Sequence, residues 1–173
     1  MSEIITIRIK QAEEKDIPVL EEIYLEVVEW LTKINKPMWG KEKVSWKNGL
    51  SKEFSTEDFY IAYIDNTPAG CVALQDFAPF YWYEPVEKGE ALFLRRLAVR
   101  RFAAGQGISK ILMQYAADKC REKNIKALRL DTGTNREKLN KIYQDFGFIC
   151  EKIETRNIGG KEFHISYYVY DII

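Results

Sequence analysis

LFLRRLAVRRFAAGQGISKILMQYAADKCREK, residues Leu92 to Lys123, reads as a strand, a glycine-bearing loop and a helix, in that order. Leu92, Leu94, Leu97 and Val99 make a short apolar strand interrupted by Arg95 and Arg96. Ala103-Ala104-Gly105-Gln106-Gly107 is small and flexible enough for a tight turn. From Ile108 onward, Ile108, Ile111, Leu112, Tyr115, Ala116 and Cys120 recur at helical spacing and form one apolar face. A helix that begins in such a loop aims unpaired backbone N–H groups, and the positive end of its dipole, into the loop. That arrangement binds anions, phosphate above all. Gly105 and Gly107 let the backbone approach a ligand closely, and Ser109 and Lys110 lie in the first helical turn. The same loop also reads as a plain turn into a helix.

Two phosphate-loop classes are excluded. No Gly-x4-Gly-Lys-Ser/Thr string is present. A dinucleotide fingerprint needs a third glycine and an acid about 20 positions on. Here the glycines are two, and Leu128 stands near that offset.

Outward from this stretch, 173 residues fit one domain, residues 1–173. Lys plus Arg number 26 against 26 Asp plus Glu, so no bulk charge favours nucleic acid or an acidic membrane, and anion recognition must be local. Cys71, Cys120 and Cys150 have neither CxxC nor metal-ligand spacing. They read as reduced core residues of a cytoplasmic protein, with no metal expected. The start, MSEIITIRIKQAEEKD, is no signal peptide, and no apolar run approaches about 18 residues.

Upstream, Ile4 to Ile9 alternates as a strand, and Asp16 reads as an N-cap with Pro18 just inside the helix start. Ile17, Leu20, Ile23, Tyr24, Val27, Val28 and Leu31 form the face of that helix. Trp30, Met38 and Trp39 are pocket candidates, of which two are expected to be packing residues. Phe59–Ile64 and Gly70–Leu74 flank the turn Asp65–Pro68 as a hairpin. The aromatic run Phe77–Tyr83 reads as a packed loop or as one wall of a substrate cleft.

Downstream, Ile125–Asp131 is a buried strand, Arg136–Phe146 a helix stopped by Gly147, and Phe148–Ile153 another strand. His164–Tyr170 closes the sheet. This alternation predicts an α/β fold: a mixed central sheet of six to seven strands, antiparallel at first with a parallel pair in the middle, flanked by about four helices.

LRRLAVRRFAAGQGISKILMQYA, followed by LNKIYQDFGF at Leu139–Phe148, resembles the GNAT superfamily of acyl-CoA-dependent N-acyltransferases. The element order matches along nearly the whole chain, and these two blocks are its specific part. The family loop, Arg/Gln-x-x-Gly-x-Gly/Ala, falls on Ala104 to Ser109; Gly107 matches, while Ala104 and Ser109 depart. Together with the Trp39 region and Arg129-Leu130-Asp131, the string looks like a bacterial branch whose acceptors are mostly unassigned.

The resemblance implies a GNAT-like domain whose central parallel strands splay apart. It implies acetyl-CoA as acyl donor, with the diphosphate on the loop of Ala104, Gly105, Gln106, Gly107, Ile108, Ser109 and Lys110, and the pantetheine arm along Leu97, Ala98 and Val99. Backbone groups freed by the splay satisfy the pantetheine amides. An N–H near Ala98 or Val99 polarises the thioester carbonyl. A primary amine, small or peptidyl, then attacks directly through a tetrahedral intermediate. Tyr143, in the family's Tyr-x-x-x-Gly-Phe block, acts as general acid on the thiolate. The family asparagine falls on Arg136, with Asn135 one position earlier; Asn135 takes that role through a shift or the contact is absent, and Asn140 is a lesser candidate.

The general base stays open among Glu26, Glu29, Asp76, Glu84 and Glu90. His164 has a suitable pKa class but reads as structural. Asp131 ends the parallel strand, where capping the next loop is its expected role. A non-catalytic acyl-CoA sensor is the alternative to an enzyme, and a nucleotide-phosphate binder a third. The terminal YYVYDII is apolar enough to pair with a second copy as a homodimer.

Overall fold

The computed structural model describes residues 4–173. Seven strands and five α-helical segments follow one another as β1 (Ile7–Gln11), α1 (Ile17–Lys33), α2 (Lys41–Val44), α3 (Ser51–Glu53), β2 (Phe59–Ile64), β3 (Thr67–Gln75), β4 (Ala91–Val99), α4 (Ile108–Glu122), β5 (Ala127–Gly133), α5 (Glu137–Phe146), β6 (Ile149–Ile158) and β7 (Lys161–Asp171). The sheet order is β1-β2-β3-β4-β5-β7-β6. β4 and β5 are the parallel pair, and β1-β2, β2-β3, β5-β7 and β6-β7 are antiparallel. This is the mixed α/β architecture expected. Two compact units share it, Met1–Ala73 with Arg96–Leu112, and Leu74–Arg95 with Met113–Ile173. β4 and α4 each run through both.

In the first unit, the helical period of α1 buries Leu20, Ile23, Tyr24, Val27, Val28 and Leu31 in one cluster with Phe59, Ile61, Cys71 and Ala98. Trp30, Met38 and Trp39 pack against that cluster. β1 begins at Ile7, not Ile4, because its partner runs out: Ile7 faces Ile64, and β2 turns away at Asp65. Ile4 therefore lies 91% exposed. Asp16 does not cap α1 through its side chain. Its carboxylate accepts from the Glu13 amide at 2.9 Å and pairs with Lys10 at 3.2 Å, closing the 3₁₀ turn ahead of the helix.

In the second unit, Ala91 and Phe93 of β4, Ala127 of β5, and Ile165, Tyr167 and Val169 of β7 form one apolar face, capped by Trp82. Trp82 stands edge-on between Phe93 (4.9 Å) and Tyr167 (4.8 Å). β7 is hydrogen-bonded to β5 along one edge and to β6 along the other. From Tyr167 to Val169 the terminal run is thus paired on both sides, so the edge pairing read from its apolar content is not open to these residues; β1 and β6 are the edge strands. Cys71 and Cys120 are buried, with thiols pushed by burial up to about 12 and about 11, so both stay protonated; Cys150 is half-buried.

Candidate active site

The first unit holds the glycine loop. Arg100 anchors its base by pairing with Glu22 (3.2 Å) and Glu26 (3.3 Å), and Glu26 also accepts from the Arg101 amide at 3.2 Å. Arg101–Ala103 makes a 3₁₀ turn, after which Gly105 (φ +78°) and Gly107 (φ +80°) take left-handed conformations open mainly to glycine. A Cβ on either would meet no protein atom within 4 Å, so the backbone angle and not protein packing calls for glycine there.

The first intrahelical bond of α4 runs from the Ile111 amide to the Gly107 carbonyl at 3.0 Å. Among the described residues, no protein atom accepts from the amides of Gly107, Ile108, Ser109 and Lys110. The Gln106 amide differs: it donates to Ala103 at 3.3 Å, and the Gln106 side chain donates to the Phe102 carbonyl. Ala104, Gly105, Gln106, Gly107 and Lys110 are exposed, Ser109 is half-buried, and Ile108 is buried as the anchor.

Leu97, Ala98 and Val99 are the last residues of β4. The β4–β5 ladder covers only Ala91–Phe93 against Ala127–Arg129. Beyond it Arg96 adopts φ +56°, a kink that costs a non-glycine residue about 1–2 kcal/mol. The buried Tyr24 hydroxyl holds the kink by donating to the Arg96 carbonyl at 2.6 Å. The Arg96 side chain, 9% exposed, lies over Trp39 and pairs with Glu53 at 3.2 Å. Gly70 of β3 lies so close that a Cβ there would sit 2.7 Å from the Ala98 oxygen. Nothing in the sequence signalled the Tyr24 contact; the paired arginines in an apolar strand were the only hint of the kink.

The second unit holds Tyr143. α5 presents it inward, and Gly147 (φ +122°) ends the helix. The Tyr143 ring packs against Phe148 and Tyr168, and among the described residues nothing is hydrogen-bonded to its hydroxyl. Burial, then the nearby charge of Asp131, pushes its pKa well above the usual phenol value, so it stays protonated. Asn140 ties the corner between β5 and α5: its amide donates to the carbonyls of Gly133 (3.0 Å) and Arg136 (2.7 Å), and its oxygen accepts from Tyr168. That leaves Asn140 a structural occupation, while Asn135 is exposed in the turn before α5.

Asp131 corrects its expected capping role. Its half-buried carboxylate accepts from the Tyr81 hydroxyl at 3.1 and 3.3 Å. Burial raises its pKa from 3.8 to about 6, opposed by the Arg95 guanidinium and the Tyr81 hydrogen bond. Arg95 in turn donates to Gln75 at 3.0 Å. Tyr81 belongs to the aromatic run, which also lines a shallow cavity of ≈ 410 Å³ between Ala78 and Val86. The sequence offered Asp131 only as a strand end, and Tyr81 only as one aromatic among several.

The other acids are placed elsewhere. Glu26 holds the loop base, Glu29 pairs with Lys41 on the surface, Glu84 pairs with Arg129, and Glu90 accepts from the Glu87 amide. The Asp76 carbonyl accepts from Gly89 in the loop before β4. His164 is exposed on β7, bonded to Thr155 (2.9 Å) and Glu162 (3.3 Å), a structural position as expected.

Comparison with known proteins bears on this geometry. The model of the Acetyltransferase (GNAT) family matches residues 21–148. No curated protein sequence matches. Among solved structures, a GNAT-family acetyltransferase from Listeria monocytogenes 4b F2365 superposes with a TM-score of 0.72 at 17% identity, covering 95% of this chain and 94% of its own. The yncA protein of Salmonella typhimurium with its cofactor acetyl-CoA gives 0.71 at 14% identity, over 97% and 95%. The ribosomal-protein-S18-alanine N-acetyltransferase of Escherichia coli gives 0.66 at 14% identity, over 96% and 94%.

Proposed function

The chain belongs to the Acetyltransferase (GNAT) family, and from that premise we propose that it moves an acetyl group from acetyl-CoA to a primary amine, small or peptidyl. The observation that carries this reading is the row of amides from Gly107 to Lys110, left without acceptors among the described residues at the positive end of a 15-residue helix. A diphosphate suits such donors, and the two left-handed glycines leave room for it. Ser109 and Lys110 add a hydroxyl and an ammonium beside them. The solved relative that carries acetyl-CoA supports the choice of donor.

Bound acetyl-CoA supplies an activated acetyl thioester. The loop amides hold its diphosphate, and the backbone of Leu97, Ala98 and Val99, beyond the end of the β4–β5 ladder, receives the pantetheine amides. An N–H of Ala98 or Val99 stabilises the negative charge that gathers on the carbonyl oxygen. The Tyr143 O–H donates a hydrogen bond to the departing sulfur. Because its pKa is raised above that of a thiol, about 8.5, it acts best as a hydrogen-bond donor that lowers the charge on sulfur and does not have to surrender its proton fully. Its hydroxyl, without a hydrogen-bond partner among the described residues, favours this enzymatic role over a non-catalytic acyl-CoA sensor.

The test is an amine panel with thiol detection of released coenzyme A, run beside calorimetric titration with acetyl-CoA. Acceptor-dependent release together with acetyl-CoA binding supports the reading. Binding without release from any amine leaves the sensor, and no binding overturns both.

A further inference from the structure

The acid that faces the acceptor was left open by the sequence, and the second unit brings one forward. Alternation along β5 sends Leu128, Leu130 and Thr132 into the core and Ala127, Arg129 and Asp131 to the opposite face. On that face Asp131 stands opposite Tyr167 in register, beside the cluster of Phe93, Trp82, Tyr167 and Val169. Tyr81 is clamped above it. The Tyr81 carbonyl accepts from Arg156 and from the Tyr167 hydroxyl, its ring packs against the cluster, and its own hydroxyl spans both carboxylate oxygens.

A carboxylate offers about four acceptor sites, and the shared Tyr81 O–H, its hydrogen-bond donor among the described residues, leaves most of that capacity unused. Asp131 also keeps part of its surface open. The groups facing it are Tyr81 from the aromatic run, Arg95 from β4, Tyr143 from α5 and Tyr167 from β7. It is thus a partly open carboxylate among tyrosine hydroxyls and one guanidinium, with acceptor capacity for the N–H groups of an ammonium ion.

We propose that Asp131 is the acceptor-amine site: its carboxylate binds the incoming alkylammonium and takes its first proton, while Tyr81 orients it. This rests on the transferase reading above. The proton moves from nitrogen to a carboxylate oxygen of Asp131, and the freed lone pair forms the N–C bond to the acetyl carbon. The C–S bond breaks with its electron pair going to sulfur. The second N–H proton, lost as the amide forms, neutralises the thiolate, and Asp131 returns its own proton to solvent. A carboxyl titrating at about 6 is ionised at neutral pH, yet is a stronger base than an ordinary aspartate. The Arg95 charge disfavours a retained ammonium and so favours the neutral nucleophile.

The first arm of the test needs no turnover. Protein carrying ¹³C-carboxyl aspartate is titrated by NMR, with the Asp131 resonance assigned by its loss in Asp131→Asn and, should that variant fail to fold, in Asp131→Glu. The expected midpoint lies near pH 6 and moves upward in Tyr81→Phe, which removes a hydrogen bond to the charged form. With coenzyme A bound, n-butylammonium is expected to shift this resonance and n-butanol to leave it unmoved. Equal responses to both, or a midpoint unchanged by Tyr81→Phe, overturn the proposal.

In the second arm, kcat/KM with the fastest amine of the panel falls on acidification through about pH 6. Asp131→Asn lowers it by about 10²–10⁴-fold and abolishes that limb, with acetyl-CoA affinity unchanged. A variant that keeps the limb overturns the proposal while leaving the transferase reading intact. If no amine is turned over, both fall.

Discussion

Asp131 carries a cost that can be measured without any substrate. Its folded pKa, about 6, lies above the 3.8 of an ordinary aspartate. A group raised in this way adds stability that is complete below pH 3.8 and lost as pH rises through 6. At pH 8 the fold therefore holds a carboxylate it would rather protonate. The gap sets a ceiling of about 3 kcal/mol, and partial exposure brings the expected penalty nearer 1–2 kcal/mol. Asp131→Asn, which still accepts from Tyr81, is expected to be more stable than the parent at pH 8 and to lose that advantage at pH 4.5. Denaturant midpoints at the two pH values decide it, and an equal difference at both contradicts the raised pKa. Tyr143→Phe is the companion experiment. It removes one hydroxyl with no hydrogen-bond partner among the described residues, so stability and acetyl-CoA affinity are expected to hold while turnover falls by roughly 10²-fold. A matching loss of affinity would make Tyr143 a packing residue.

The kink of β4 is the element on which the proposed donor site depends. Tyr24→Phe keeps the ring against Trp39 and Phe59 but leaves the Arg96 carbonyl without its donor. A cost of about 1–3 kcal/mol is expected, read as a lower denaturant midpoint with an unchanged slope. Gly107→Ala acts on the loop through backbone strain alone, since the new methyl meets no protein atom; about 1–2 kcal/mol is expected, with weakened acetyl-CoA binding on top. If stability drops while affinity holds, the loop is a turn and not an anion site. What could be read at this scale followed chemical type. The strand–glycine–helix order, the hairpin at Asp65–Pro68 and the Gly147 stop were legible because turn and cap residues act locally. The ends of β1, β6 and β7 were not, because a partner strand sets them: polar pairs such as Asn157 with Glu162 extend the last ladder past its apolar stretch. The pairing of Asp131 with Tyr81 was hidden for the same reason, the two being 50 positions apart and joined only by the fold.

At the level of the whole chain, charge balance removes the simplest ways of attracting a partner. With 26 basic and 26 acidic residues there is no long-range field to gather polyanions, so any preference for a phosphorylated ligand must come from a local set of donors. That makes ligand choice a test of the global reading. A ligand that binds only the folded chain stabilises it by about 2.7 kcal/mol at a concentration 100 times its Kd. For a chain of 173 residues, each kcal/mol moves Tm by about 2–4 °C, so acetyl-CoA at that excess is expected to raise Tm by about 5–11 °C. ATP carries phosphates but no pantetheine arm, and therefore tests the loop alone. If the loop acts with Leu97–Val99, ATP at the same concentration gives a much smaller rise and acetyl-CoA displaces it. Equal shifts from the two would mean that the loop recognises phosphate without the strand, and the chain would then be a nucleotide-phosphate binder on an acetyltransferase fold.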